Sequence, residues 1–224
     1  LTLDLSNFSK EHRFLILLDI CCFSELTDDH QLKLINLVTS ESKSLLHKGG
    51  YKEENIFSAF ISTGDGFYFI GHKINSLFYA NDCILFALSL RNTLIESFKK
   101  YNFDYKGVKL ALHFGTTLPY IDITNRENFV GSAMNEIFRL LSPNNSQEII
   151  NISHDFYGHE NTVIISEKAL NKIGNLPNVG IRISKKFTIH AKHNKKFSCY
   201  FLDYTGRNIF ILRSKKVKNS QICK

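Results

Sequence analysis

Phe14-Leu15-Ile16-Leu17-Leu18 is an unbroken apolar run that ends abruptly on Asp19. A short apolar run of this kind reads as a buried strand, here over about Arg13–Asp19. A strand that delivers a carboxylate at its C-terminal end carries a cost. A lone buried charge is strongly unfavourable, so such an aspartate is paired, hydrogen-bonded or bound to a metal. A second carboxylate, Asp65, lies in the turn Thr63-Gly64-Asp65-Gly66 between two further apolar runs, Asn55–Ile61 and Phe67–Ile70. If these runs form a hairpin beside the first strand, Asp19 and Asp65 point at one spot. Paired carboxylates flanked by glycines are what a two-metal phosphoryl-transfer site requires. Each piece also has a bland reading: Asp19 as a cap of the next turn, and Gly-Asp-Gly as ordinary hairpin chemistry.

The rest of the chain supplies the frame. Residues 1–12 are polar and read as a lead-in segment or a short helix. Thr27-Asp28-Asp29 reads as a helix cap with acids in the first turn, where the dipole favours them. Leu34, Ile35, Val38, Leu45 and Leu46 carry the helical stripe to a stop at Gly49-Gly50. A second helix over about Asn75–Lys100 has apolar residues on more than one face, which implies deep burial. Gly107–Gly115 is a strand with Val108, Leu110, Leu112 and Phe114 on one face and Lys109, Ala111 and His113 on the other. After a loop, Val130–Leu141 is helical. Asn161–Ser166 reads as a short strand, Ser166–Ile173 as a short helix, and Val179–Ala191 with Lys196–Asp203 as a closing hairpin. The order βαββαβ predicts an α+β, ferredoxin-like core: an antiparallel sheet with helices packed on one face. The expected organisation is a lead-in over 1–12, one domain over 13–204 and a basic tail over 205–224.

Charge and cysteine content exclude several classes. The formal net charge is +7, but Arg213, Lys215, Lys216, Lys218 and Lys224 place +5 of it in the last twelve residues. The remaining body is nearly neutral, so charge alone gives no nucleic-acid binder. The five cysteines include the adjacent pair Cys21 and Cys22, and none has CxxC spacing, so neither a disulfide framework nor a zinc site is indicated. No stretch is long and apolar enough to span a bilayer, and no secretory signal is recognisable. A reduced, cytoplasmic protein is expected.

A third motif follows at Phe129-Val130-Gly131-Ser132-Ala133-Met134-Asn135-Glu136-Ile137-Phe138-Arg139-Leu140. Asn135 and Arg139, four apart, share one face of a helix, while Met134, Ile137, Phe138 and Leu141 supply its buried face. By itself this is an amphipathic helix with two polar surface residues. In combination, the chain resembles class III nucleotidyl cyclases, the adenylate and guanylate cyclase catalytic domain, over about Phe14–Leu202. Asp19-Ile20-x-x-Phe23-Ser24, Thr63-Gly64-Asp65, the Leu110–Gly115 strand, Gly131 with Asn135 and Arg139, and Ile164-Ile165-Ser166-Glu167 occur in the family's order.

The resemblance implies roles. Asp19 and Asp65 look like the carboxylates that bridge two divalent cations, Mn²⁺ or Mg²⁺, with the Ile20 carbonyl as a further ligand. The backbone of Cys22, Phe23 and Ser24, with Gly64, looks like the triphosphate-cradling turn. Asn135 is similar to the ribose-orienting asparagine and Arg139 to the arginine that stabilises the transition state. In this family those two residues are lent by the partner, so a homodimer with composite active sites is implied. Lys192 lies where a phosphate-binding lysine is expected, with Lys195 and Lys196 as competitors. His113 reads as a strand residue satisfied by a neighbour rather than a general base.

Two departures bear on the substrate. The slots with which purine cyclases of this type read the base hold Ile61 and Asn128. Ile61 cannot donate to a ring nitrogen, and leaving a purine's polar edge unpaired costs roughly 1–3 kcal/mol. The connection from Gly115 to Gly131 is also shorter than the usual glycine-rich hairpin. In these respects the chain looks like the pyrimidine cyclases of the Pycsar antiphage systems, which make cyclic UMP or cyclic CMP. Asn128, both donor and acceptor, does not distinguish uracil from cytosine. The expected substrate is a pyrimidine nucleoside triphosphate, UTP ahead of CTP, with no membrane or nucleic-acid partner. The rivals are a purine cyclase with an altered base pocket and a non-catalytic nucleotide-sensing module. An RNA-recognition module shares βαββαβ, but it is shorter and needs an aromatic residue on its first strand, where this chain presents Asp19.

Overall fold

A computed structural model of the chain describes residues 9–49, 56–73, 77–101, 107–158, 161–176 and 180–204. The basic tail over 205–224, most of the lead-in, Gly50, and the expected element starts at Asn55, Asn75 and Val179 lie outside the described residues.

β1 (Glu11–Ile20) is the apolar run around which the sheet is built. β2 (Phe57–Ser62) and β3 (Gly66–Lys73) form the hairpin beside it, and β4 (Val108–Ile121) pairs with its other edge. β5 (Glu127–Val130) folds back on the end of β4. β6 (Thr162–Ser166) pairs with β4 in parallel, and β9 (Lys195–Asp203) with β6 antiparallel. β7 (Arg182–Ile183) and β8 (Phe187–Ala191) both pair with β9. The strand order is β2-β3-β1-β4-β6-β9-β7, with β5 and β8 off this path.

Successive side chains of a strand point to opposite faces, and β1 uses both. Phe14, Ile16, Leu18 and Ile20 pack with α1 (Asp28–Lys48), α2 (Leu77–Lys100) and α5 (Glu167–Ile173). Leu15 and Leu17 face the other way, onto α3 (Ser132–Leu141) and α4 (Ser146–Tyr157). The α+β core is therefore as expected, with two additions. One strand pair is parallel, and helices cover both faces rather than one.

Several boundaries shift for physical reasons. Gly115, read as the end of a strand, lies inside β4. A Cβ there would come within 3.0 Å of the Ala133 Cβ, so the glycine admits α3 to the sheet rather than ending the strand. Val130 belongs to β5 and the helix starts at Ser132. The expected loop between β4 and α3 is a hairpin, closed by the Asp122 carboxylate accepting from the Thr124 and Arg126 amides. α1 begins after Thr27, although the Thr27 side chain makes no capping bond.

Candidate active site

The two aspartates are placed by backbone pairing. Asp19 is opposite Gly66 on β3 and opposite Lys109 on β4. The Thr63 amide donates to the Gly66 carbonyl at 2.9 Å and closes the turn, while the Ile20 amide donates to the Asp65 carbonyl at 3.0 Å. Gly66 has no alternative here, since a Cβ would sit 2.0 Å from the Leu18 carbonyl oxygen. The Thr63 hydroxyl donates to Asp65 Oδ1 at 3.2 Å. Burial and the neighbouring Asp65 charge push the Asp19 carboxyl above its ordinary range, against the pull of Lys109. Two carboxylates held this close repel one another unless cations lie between them.

The chain then turns at Cys22, whose backbone is left-handed at φ 56°. The Cys21 amide donates to the Gly107 carbonyl at 2.9 Å, and a single 3-10 turn, Phe23–Glu25, follows. Gln31 braces it by donating to the Leu26 carbonyl at 3.0 Å. Cys22 and Ser24 are exposed and Phe23 is half-buried. A left-handed residue opening a tight turn makes a concave row of amides suited to an anion.

The second group of residues lies on α3. Ala133, Ile137 and Leu140 are buried, and Asn135 is exposed with its Nδ2 donating to the Gly131 carbonyl at 3.5 Å. Arg139 is half-buried one turn later. Among the described residues, no hydrogen bond or ion pair links Asn135 or Arg139 to Asp19 or Asp65. β3 and α3 are nonetheless joined, because the buried Tyr68 hydroxyl donates to the Met134 carbonyl at 3.2 Å.

No family model matches the sequence, and no curated protein does. Solved structures do. The adenylyl cyclase CyaB of P. aeruginosa superposes with a TM-score of 0.63 at 14% identity, covering 90% of this chain and 98% of that one. The guanylate cyclase domain of RhGC from Catenaria anguillulae, in complex with GTP, gives 0.61 at 16% identity over 89% and 99%. Adenylate cyclases of Trypanosoma brucei in their monomeric state give 0.55 at 14% identity over 86% and 88%. The fold is that of a nucleotidyl cyclase catalytic domain.

On this cyclase fold the remaining expected residues fall in three places. Ile61 is half-buried on β2, opposite Tyr68. Asn128 is half-buried on β5, with its Oδ1 accepting from the Phe129 amide at 2.8 Å. The two strands approach each other. Lys192 is exposed in the loop that joins Ala191 to Lys195, and Lys195 and Lys196 are exposed as well. No hydrogen bond or ion pair among the described residues draws any of the three to the aspartates.

Sequence reasoning passed over Lys109. It faces Asp19 across the β1–β4 register and is half-buried, which adds a cation beside the carboxylates. A lysine on the same strand face as Ala111 and His113 was a visible signal, but its neighbour across the sheet was not. His113 is as expected: it is buried and satisfied by Ser166 and Glu136.

The donor set can be tested for metal binding. Hard divalent cations take carboxylate and carbonyl oxygens and complete their shells with phosphates and water. Asp19, Asp65 and the Ile20 carbonyl are donors of that kind. No group of three or more His, Cys, Asp or Glu side chains gathers among the described residues. Two carboxylates and a carbonyl fit a divalent cation whose remaining ligands come from water or phosphate.

Proposed function

We propose that the chain is a homodimeric nucleotidyl cyclase that converts a pyrimidine nucleoside triphosphate, UTP ahead of CTP, to its 3′,5′-cyclic monophosphate and pyrophosphate. The observation that carries the reading is the half-buried Asp19 held against the Asp65 turn at the end of β1. Asp19, Asp65 and the Ile20 carbonyl would hold two divalent cations, Mn²⁺ or Mg²⁺. Bound there, the cations lower the pKa of the ribose 3′-hydroxyl and neutralise the triphosphate. The Cys22–Ser24 turn, with Gly64 nearby, cradles the phosphates, and Lys109 and one of Lys192, Lys195 and Lys196 add positive charge. The 3′-oxygen attacks the α-phosphorus, the bond to the β-phosphate oxygen breaks, and the hydroxyl proton leaves to solvent.

Asn135 orients the ribose, and Arg139 meets charge that develops only in the transition state, the condition under which binding energy raises kcat. Among the described residues no hydrogen bond or ion pair joins Asn135 or Arg139 to the aspartates of their own chain, which suits a site completed by the partner. Ile61 in the base slot disfavours a purine, which supports the pyrimidine preference. A second-messenger role in bacterial antiphage defence follows from the resemblance to Pycsar cyclases.

The test is incubation of the purified protein with ATP, GTP, CTP and UTP in turn, each with Mn²⁺, and identification of the product. Cyclic UMP or cyclic CMP is expected. Cyclic AMP or cyclic GMP as sole product replaces the pyrimidine reading with a purine cyclase, like the adenylyl and guanylate cyclases of similar fold. Nucleotide binding without turnover replaces it with a sensing module.

A further inference from the structure

The chemistry above makes no use of a polar chain that spans four elements and runs from the buried His113 to the surface at Lys168. His113 on β4 has no exposed surface, and Ser166, where β6 meets α5, is 2% exposed. The Ser166 oxygen accepts the Ala169 amide at 3.2 Å as the cap of α5 and lies 2.8 Å from His113 Nδ1. A hydroxyl has one proton. The Glu136 carboxylate on the other side of the ring can only accept, so the ring proton lies on Nε2 and the hydroxyl proton points to Nδ1. Nε2 is 3.0 Å from Glu136 Oε2 on α3, and the same oxygen accepts from Lys168 of α5 at 2.8 Å.

Ser, His and Glu in this order are the components of a hydrolytic triad, but the buried Ser166 oxygen is already committed to the helix cap. The chain of bonds holds elements together instead. α3 is ten residues long and has no side-chain capping bond at its N-terminus. A helix of that length does not hold itself in place. Its apolar stripe of Ala133, Ile137 and Leu140 fixes its distance from the sheet, yet apolar burial is non-directional. Rotation and register need directional bonds, and Glu136 supplies one from the position next to Asn135 and one turn before Arg139.

We infer that Glu136 is a positioning residue: through its bond to the buried His113 it sets the rotation of α3 and thereby aims Asn135 and Arg139. The inference rests on the cyclase reading for its catalytic consequence. Its structural half stands alone. Packing around the contact is tight, since a Cβ at Gly115 would come 3.3 Å from His113 Nε2.

The test compares wild type, Glu136→Ala and Glu136→Gln by steady-state kinetics with the preferred triphosphate and Mn²⁺, and by amide hydrogen exchange over residues 132–141. Nitrogen-15 shifts of the His113 ring are measured on wild type alone. Glu136→Ala is expected to lower kcat by about ten- to a hundredfold while KM moves less than about threefold, because misaimed groups cost the transition state more than the ground state. Its α3 amides exchange faster than those of wild type. Glu136→Gln keeps an oxygen acceptor for Nε2–H and restores most of both properties. The ring shifts report the Nε2–H tautomer.

Wild-type kcat and exchange in Glu136→Ala, a Gln variant as impaired as the Ala variant, or an Nδ1–H ring overturns the inference. If wild type turns over no triphosphate, the cyclase reading fails, while exchange and ring shifts still decide whether the clamp exists. If Glu136→Ala does not fold, the Gln variant and the wild-type ring shifts decide.

Discussion

The amide of Ile20 donates to the carbonyl of Asp65 at 3.0 Å. This bond joins the residue after Asp19 to the tip of the β2–β3 hairpin. Two carboxylates 46 positions apart in the chain are thus held by main chain rather than by side-chain rotamers. Preorganisation of this kind would serve the proposed cation site, and it carries a cost where no cation offsets the paired charges.

That cost is measurable. Burial, and then the Asp65 charge, raise the Asp19 carboxyl above its unfolded value. Such an acid loses stability as pH rises from the unfolded pKa through the folded one. At pH 7.5, without divalent metal, Asp19→Asn is expected to raise the melting temperature. Mn²⁺ should raise that of wild type and leave the variant unchanged. A lower melting temperature for the metal-free variant contradicts the account.

Composite assembly makes a genetic prediction. Asp65→Ala and Arg139→Ala should each lower turnover by about a thousandfold or more, the scale of losing several kcal/mol from the transition state. After subunit exchange, a mixture should regain activity through one intact site per heterodimer. Confirmed exchange without recovery rules out the shared site.

Gly66→Ala is expected to destabilise the fold by about 2 kcal/mol or more, because the new methyl group meets backbone rather than a side chain that can move. Urea denaturation reads this directly. The exposed Gly64, where a Cβ meets nothing within 4 Å, pays only for its positive φ of 96°.

Glu136 gives a pH dependence. The His113 bond, helped by Lys168, holds its carboxyl down at about 2 against an ordinary 4.5. A lowered pKa stabilises the fold above the unfolded value, and that gain disappears as pH falls through the folded one. The stability difference between wild type and Glu136→Gln should therefore be constant near neutrality and shrink between about 4.5 and 2. A difference that stays unchanged to pH 2 would show that the charge is not involved.

Asp203 is buried between Arg91, at 2.7 Å, and Arg182. Removing one member of a buried ion pair strands the other, so Asp203→Asn is expected to cost about 3–5 kcal/mol in denaturant unfolding. A loss below 1 kcal/mol would mean that water already satisfies Arg91.

What the sequence made legible follows from range. β1, α1, α2 and the β2–β3 turn rest on local periodicity and punctuation, and all are present. α4 was missed because Ser146–Tyr157 is rich in Ser, Asn and β-branched Ile, which favour helix weakly. Burial of Ile149 against the second sheet face outweighs that preference. The β4–β5 hairpin was hidden because Gly115 reads as the end of the strand and the residues after it as a loop. Gly115 serves helix approach, and Pro119 lies where β4 pairs with the short β5. Asp19 and Asp65 could be proposed as partners because each is marked by its own neighbours. Lys109 beside Asp19 and Glu136 beside His113 depend on register and helix rotation, which no local pattern encodes.

The Tyr68 hydroxyl ties the strand that follows Asp65 to the backbone of the residue before Asn135. In a two-fold pair with shared catalytic clefts, that strand serves one cleft and that helix serves the other. Every subunit would then act as a strut between both pockets, and occupancy of the first would alter the stiffness of the second. Saturation curves that depart from a simple hyperbola are the expected signature of this linkage.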